Sequence, residues 1–190
     1  SVVAYRANRR DFAFYQQRKN REGKEGKVHV MDINFEVSNN NIAFCYRIYP
    51  QGKTVVGVVE GEATAFAIPG GTTTFLCPQA KPMGGFARTS PSYETSYTLD
   101  EPMGKNGWGE GYTFPCLFKQ GSKGWMLLSE TGTDGNYVGC RLMGNGQGIY
   151  SIGFPQQGEQ NGTGTATAAM RLPTCTPWRT ITVGESLAPI

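Results

Sequence analysis

Apolar residues in this chain recur at every second position, in short runs broken by Gly, Pro, Asn or Asp. An extended chain points successive side chains to opposite faces, so a run of this kind buries one face and wets the other. The pattern is cleanest in Met31-Asp32-Ile33-Asn34-Phe35-Glu36-Val37, where the apolar residues take the odd positions. Ser38-Asn39-Asn40-Asn41 turns the chain, and Ile42, Phe44, Tyr46 and Ile48 resume the alternation, so residues 27–49 read as a hairpin. Further strands are predicted at 54–59, 64–68, 72–77, 93–99, 112–118, 125–129, 138–143, 149–154, 163–172 and 179–183. No segment sustains an i, i+3, i+4, i+7 pattern for three turns, which leaves little room for helix. The expected fold is all-β: one large antiparallel sandwich of at least ten strands over residues 1–190.

A chain of 190 residues is long enough to bury roughly 70% of its unfolded surface in a single core. Its net charge of +3 is local, because the first 27 residues hold eight Lys and Arg against three acids. Arg18, Lys19, Arg21, Lys24 and Lys27 alternate with Glu22 and Glu25 around glycines, the pattern of a solvated hairpin loop. No aromatic platform or recognition helix accompanies them, so a nucleic-acid partner is not expected. There is no run of 18 apolar residues, and hence no predicted membrane span. No leader pattern is visible, and Ser1 reads as a domain boundary.

Nucleophilic triads have little to work with. The one histidine, His29, falls in a strand at the parity of Met31 and Ile33 and is read as a packed residue. Cys45, Cys77, Cys116, Cys140 and Cys175 form no C-x-x-C pair, which argues against zinc and for buried free thiols; a disulfide through Cys140 or Cys175 stays open in an oxidising compartment. Paired carboxylates are the remaining catalytic option, with Glu94, Asp100, Glu101, Glu110, Glu130, Asp134 and Glu159 as candidates. Glu130 stands apart, since it ends the apolar run 124–129 and precedes a mobile-looking turn. Residues 78–92 and 100–111 are long loops rich in Pro and Gly. Of the aromatics, Trp125 reads as core, whereas Trp108, Tyr93 and Glu94 are the candidate carbohydrate contacts. After Pro177, Trp178 is expected to pack and Arg179 to pair with a carboxylate or carbonyls, with a sugar-binding arginine as the alternative.

Six segments together resemble the N-terminal domain of glycoside hydrolase family 97. They are 62–69, Tyr93-Glu94-Thr95-Ser96-Tyr97, 111–118, Gly124-Trp125-Met126-Leu127-Leu128-Ser129-Glu130-Thr131-Gly132, 154–159 and Thr176-Pro177-Trp178-Arg179-Thr180-Ile181-Thr182-Val183-Gly184, in the family's order. The resemblance runs from about residue 30 to the end; residues 1–27 are expected to match poorly and the family's first strands to be missing. It implies a galactose mutarotase-like β-supersandwich, followed beyond residue 190 by a catalytic (β/α)8 barrel that carries the acid and the base or nucleophile. It also implies a periplasmic or extracellular bacterial α-glucosidase or α-galactosidase acting on an oligosaccharide, with calcium in its active site. Glu130 is the position matching a glutamate that this domain supplies to the calcium, and the isolated chain is expected to hold no calcium tightly. On this reading the domain is non-catalytic and its partner is its own barrel. The alternatives are a stand-alone carbohydrate-binding module with Trp108, Tyr93 and Tyr112 as its platform, and a mutarotase-like epimerase, which one strand histidine serves badly.

Overall fold

The computed structural model describes residues 4–80, 95–105, 109–144, 146–156 and 166–190. Among them are fourteen strands and no helix: β1 Asn8–Lys19, β2 Glu25–Val37, β3 Asn41–Ile48, β4 Val56–Val59, β5 Ala65–Ala67, β6 Thr73–Pro78, β7 Glu101–Pro102, β8 Tyr112–Lys119, β9 Trp125–Thr131, β10 Arg141–Gly144, β11 Ile149–Gly153, β12 Ala168–Arg171, β13 Thr174–Cys175 and β14 Trp178–Gly184. The main sheet runs β1-β2-β3-β14-β9-β8-β10-β11-β5, with β13 added to β3, β6 to β8 and β7 to β6, while β12 and β4 form a separate pair. Every pairing is antiparallel.

This path folds back on itself to make the expected sandwich. Phe44 of β3 and Phe66 of β5 belong to strands far apart in sheet order, yet their rings lie 6.3 Å apart. Strand β8 makes the corner: Cys116–Lys119 pair with β9, and Tyr112 and Thr113 pair with β10. The apolar faces meet in one core that includes Phe44, Leu76, Phe118, Leu128, Leu142 and Tyr150. A smaller cluster of Ala168, Met170 and Leu172 packs against Ile48, Val59, Tyr137 and Val138.

The hairpin of β2 and β3 is present as expected, and most other predicted strands lie within a few residues of their places. Three places differ from the expected strands. Strand β1 is absent from the expectation because it is an edge strand, exposed along its whole length, and so lacks a core pattern to read. The basic stretch is indeed a hairpin turn, closed by Asn20 Oδ1, which accepts from the backbone N–H of Glu22 at 3.0 Å and of Lys24 at 2.8 Å. Residues 95–99 form no strand; instead Thr98 Oγ1 accepts from the N–H of Leu76 at 2.7 Å, and the N–H of Thr98 donates to the carbonyl of Leu76 at 2.7 Å. The predicted strand at 138–143 begins only at Arg141.

His29 needs a correction of face. Tyr15 pairs with His29 while the adjacent Phe14 pairs with Met31, so the register slips by one residue at Val30. This bulge moves His29 off the parity of Met31 and Ile33 and onto the polar face of Asp32. There its Nε2 lies 2.6 Å from Asp32 Oδ1, and its ring packs between Tyr15 and Tyr49 with centroids at 4.9 and 4.2 Å. Four of the five cysteines are buried, Cys175 is exposed, and all five are free thiols.

The core side chains should dominate stability. Leu128→Ala is expected to cost about 2–5 kcal/mol, and Phe12→Ala on the exposed edge strand less than about 1 kcal/mol, in urea unfolding followed by tryptophan fluorescence.

Candidate functional site

Arg179 on β14 stands directly opposite Glu130 on β9, so the register itself places both side chains on one face. The third member, Glu62, arrives from the segment between β4 and β5. The Arg179 side chain has no exposed surface, and those of Glu62 and Glu130 are 4% and 15% exposed. Arg179 donates from Nη2 to Glu62 Oε2, from Nε to Glu62 Oε1 at 3.3 Å, and from Nη1 to Glu130 Oε2. The planar guanidinium thus engages Glu62 through a two-point fork and Glu130 through its remaining arm. Nη2 also lies 3.2 Å from Cys140 Sγ, and the Tyr137 ring centroid is 6.0 Å from the guanidinium carbon.

Glu62 is braced on its other side. The Tyr137 hydroxyl donates to Oε2 at 2.9 Å, and Thr64 Oγ1 donates to Oε1 at 3.2 Å while lying 2.7 Å from the Tyr46 hydroxyl. Such bracing is what two carboxylates need when they leave water.

One guanidinium faces two carboxylates, a formal charge of −1. Burial pushes the Glu130 carboxyl above its ordinary range; Arg179 offsets part of this, and the charge of Glu62 adds to it. For Arg179, burial opposes the charge, but the hydrogen bond and charge of Glu62 outweigh it and the guanidinium stays protonated. Burial, then Glu62, also pushes up the Tyr137 hydroxyl.

This chemistry is that of an anchored negative centre rather than an acid and base pair. Glu62 is wholly committed to Arg179, Tyr137 and Thr64. Glu130 accepts from Arg179 and from the backbone N–H of Cys140, and a carboxylate has lone pairs beyond those two. It sits at the end of β9 and remains partly exposed, so it can offer oxygen to a hard cation. It cannot hold one unaided: calcium takes six to eight oxygens, and the described residues contain no group of three or more His, Cys, Asp or Glu suited to a metal.

The other candidates are scattered. Trp108, Tyr93, Glu94 and Glu159 lie outside the described residues. Asp100 bonds Thr73 Oγ1 at 2.5 Å, Glu101 pairs with Lys105 at 2.8 Å, and Asp134 accepts from the backbone N–H of Asn136 at 2.8 Å in an exposed turn. Tyr112 is 5% exposed and packs in the core, which removes it from the surface platform that a binding module was expected to use. Trp125, read as core, is only half-buried. Arg179 pairs with carboxylates, as expected. Sequence reasoning missed Glu62, which is 117 residues from Arg179; the available signal was its place at the head of the segment 62–69.

The family profile for the glycosyl-hydrolase 97 N-terminal domain matches residues 1–190. The match takes in the first 27 residues, correcting the expectation that they fit poorly. Among solved structures, a beta-arabinopyranosidase is 40% identical across 100% of this chain, with a TM-score of 0.79 over 32% of its own length. A glycoside hydrolase family 97 enzyme from Pseudoalteromonas sp. strain K8, in complex with panose, is 16% identical across 94% of the chain and 27% of its own, with a TM-score of 0.62. Its complex with acarbose gives 0.61. At 16% identity this likeness shows the fold alone. The chain therefore covers 32% and 27% of the lengths of the structures it resembles. No curated protein sequence matches the chain.

Glu62→Gln is expected to cost about 3–5 kcal/mol, since it strips Arg179 of its two-point partner; Glu130→Gln should cost less, because Glu130 holds one arm and keeps some contact with water. The Glu130 variant also carries a pH dependence. A carboxyl whose folded pKa is raised contributes stability below its unfolded value of 4.5 and loses it as pH rises through the folded value. The gap in thermal midpoint between Glu130→Gln and the unaltered protein should therefore shift in the variant's favour as pH rises above the unfolded value, as read by calorimetry.

Proposed function

Because this chain belongs to the glycosyl-hydrolase 97 N-terminal family, we propose that it is the non-catalytic sandwich domain of a calcium-dependent α-glycosidase, packed on a catalytic (β/α)8 barrel whose active site it completes. The observation that carries this reading is the placement of Glu130: a carboxylate at a strand end, paired with a buried arginine and still partly exposed. Calcium, when bound, would supply Lewis acidity or orient a general acid. What this chain contributes is position. Arg179 and the Cys140 N–H restrain the Glu130 carboxylate, Glu62 neutralises Arg179, and Tyr137 with Thr64 holds Glu62. A ligand held in this way loses little freedom when it meets an ion, which favours a preorganised site.

Substrate class follows from the same membership. The proposed substrates are α-glucosides or α-galactosides of oligosaccharide type, with arabinopyranosides beside them, since the relative at 40% identity is a beta-arabinopyranosidase. An arabinopyranoside differs from the corresponding galactoside by lacking the C6 hydroxymethyl group, so one pocket can be tuned between them. The proposed site of action is the bacterial periplasm or exterior.

The 190-residue chain alone should hydrolyse none of the aryl glycosides of these three sugars. Turnover that survives repurification and is abolished by Glu130→Gln would place a catalytic centre in the chain itself. Isothermal calorimetry should detect no calcium binding to the chain tighter than about millimolar. In the parent enzyme, Glu130→Gln should lower calcium-dependent kcat/KM by about 100-fold or more, whereas full activity with an unchanged calcium requirement would refute the role of Glu130.

A further inference from the structure

The one exposed thiol, Cys175, has a buried thiol for a neighbour. Strand β13 sets Cys175 opposite Arg47 of β3, and residues two apart on a strand share a face, so Cys175 is the diagonal neighbour of Cys45. The N–H of Thr176 donates to the Tyr46 carbonyl at 2.9 Å and holds the two segments together between the cysteines. The Cys175 thiol is close enough to act on that of Cys45 through both charge and a hydrogen bond.

The pairing is irregular at this point, and the irregularity supplies room to move. Arg47 faces Cys175 while Phe44 faces Arg179, so one extra residue is accommodated on the β13–β14 side. In the same place the N–H of Tyr46 donates to a side-chain oxygen, Thr176 Oγ1, at 3.1 Å. Diagonal neighbours stand within about 7–8 Å, and a disulfide brings its Cβ atoms to about 3.5–4.5 Å. Strand β13 is two residues long and Cys175 is exposed, so the side that has to close this gap is the less constrained one.

The two thiols differ in the way that disulfide exchange requires. Burial first, then the nearby Cys175 thiol, pushes Cys45 up to about 12, so Cys45 does not attack an external oxidant. Cys175 is exposed and meets the oxidant first. Its thiolate displaces one half of a disulfide R–S–S–R, which leaves R–S⁻ and a mixed disulfide on Cys175. Cys45 then attacks the Cys175 sulfur and releases the second R–S⁻, and the two thiol protons end on two R–SH. The net exchange oxidises two protein thiols and reduces one R–S–S–R. The other cysteines have no exposed member to begin it: Cys116 has Cys77 beside it, yet both are buried, and Cys140 is buried with its sulfur 3.2 Å from Arg179 Nη2. A bridge here would also bear on the charge cluster, because residues 46–174 hold Glu62, Glu130 and Tyr137, and Arg179 follows just after Cys175.

We propose that Cys45 and Cys175 form a dithiol site that closes to an intramolecular disulfide by exchange with a glutathione-type or protein C-x-x-C disulfide, pinning β13 and the start of β14 to β3. Its closure in the cell rests on the proposed periplasmic or extracellular site of action, since such compartments are oxidising; the chemistry of the pair does not. Incubation of the folded 190-residue chain with oxidised glutathione, followed by peptide mapping without reductant, tests it. The expected product is lighter by two hydrogens and links the peptide containing Cys45 to that containing Cys175, and its thermal midpoint falls by about 5 °C or more on reduction. Cys175→Ser, an exposed change, should keep the fold, form no bridge and lose that redox-dependent shift. Cys45 left as a free thiol, with or without glutathione on Cys175, a dimer joined through Cys175, or a bridge that leaves the midpoint unmoved overturns the inference. A parent glycosidase recovered from the periplasm with both thiols free removes only this inference. Closure in a parent that lacks glycosidase activity removes only the proposed function.

Discussion

A guanidinium with no exposed surface has to be neutralised where it stands, and in this protein that requirement joins separate parts of the chain. Arg179 lies on β14, between β3 and β9 in the sheet, and its partners come from β9 and from the 60–64 segment that leads into β5. Tyr137 and Cys140, just ahead of β10, close the remaining sides. The pair is not a source of large net stability, since burying three charges costs about as much as their attraction returns. It acts instead as a constraint on arrangement: a packing that left any of the three unpaired would be penalised heavily, so the one in which all three meet is selected.

The constraint also shapes what each end of the sandwich can do. Around Arg179 the polar groups are bonded into a chain from Tyr46 through Thr64 and Glu62 to Arg179 and Glu130. Only Glu130 faces outward enough to deal with anything else. That makes the region an organiser of one carboxylate rather than a binding pocket. At the far end the turns are held by backbone hydrogen bonds and by the Asn40 side chain, which donates to the Pro189 carbonyl. The same antiparallel strands, β9 and β14, connect the two ends across one core.

Edge strand β1 shows a different balance. Its long register with β2 is interrupted at Val30, and the bulge delivers His29 to Asp32 and stacks it between two tyrosines. The Asp32 carboxyl, bonded first by the Tyr49 hydroxyl and then by His29, is held below its ordinary range. A single extra residue therefore converts what alternation marks as a core position into a member of a polar surface cluster.

Alternation and punctuation were enough to reveal an all-β sandwich, its β2–β3 hairpin and most of its strands, because those features depend on which residues face the core and where the chain must turn. Local chemistry likewise marked Glu130 as a strand-end carboxylate and Arg179 as a residue seeking a partner. The identity of that partner was not local: Glu62 is 117 residues away, and only the closure of the sandwich brings it to the guanidinium. Tyr112 was lost to the surface, and Trp125 partly returned to it, by the way β8 and β9 pack, which no alternation reports. Strand β1 stayed hidden because an exposed edge needs no apolar face, and the bulge at Val30 because a slip in register is a property of two strands together. Period and turn chemistry belong to the chain itself. Pairing partners, register slips and the burial of charge are decided only when distant segments share one interior.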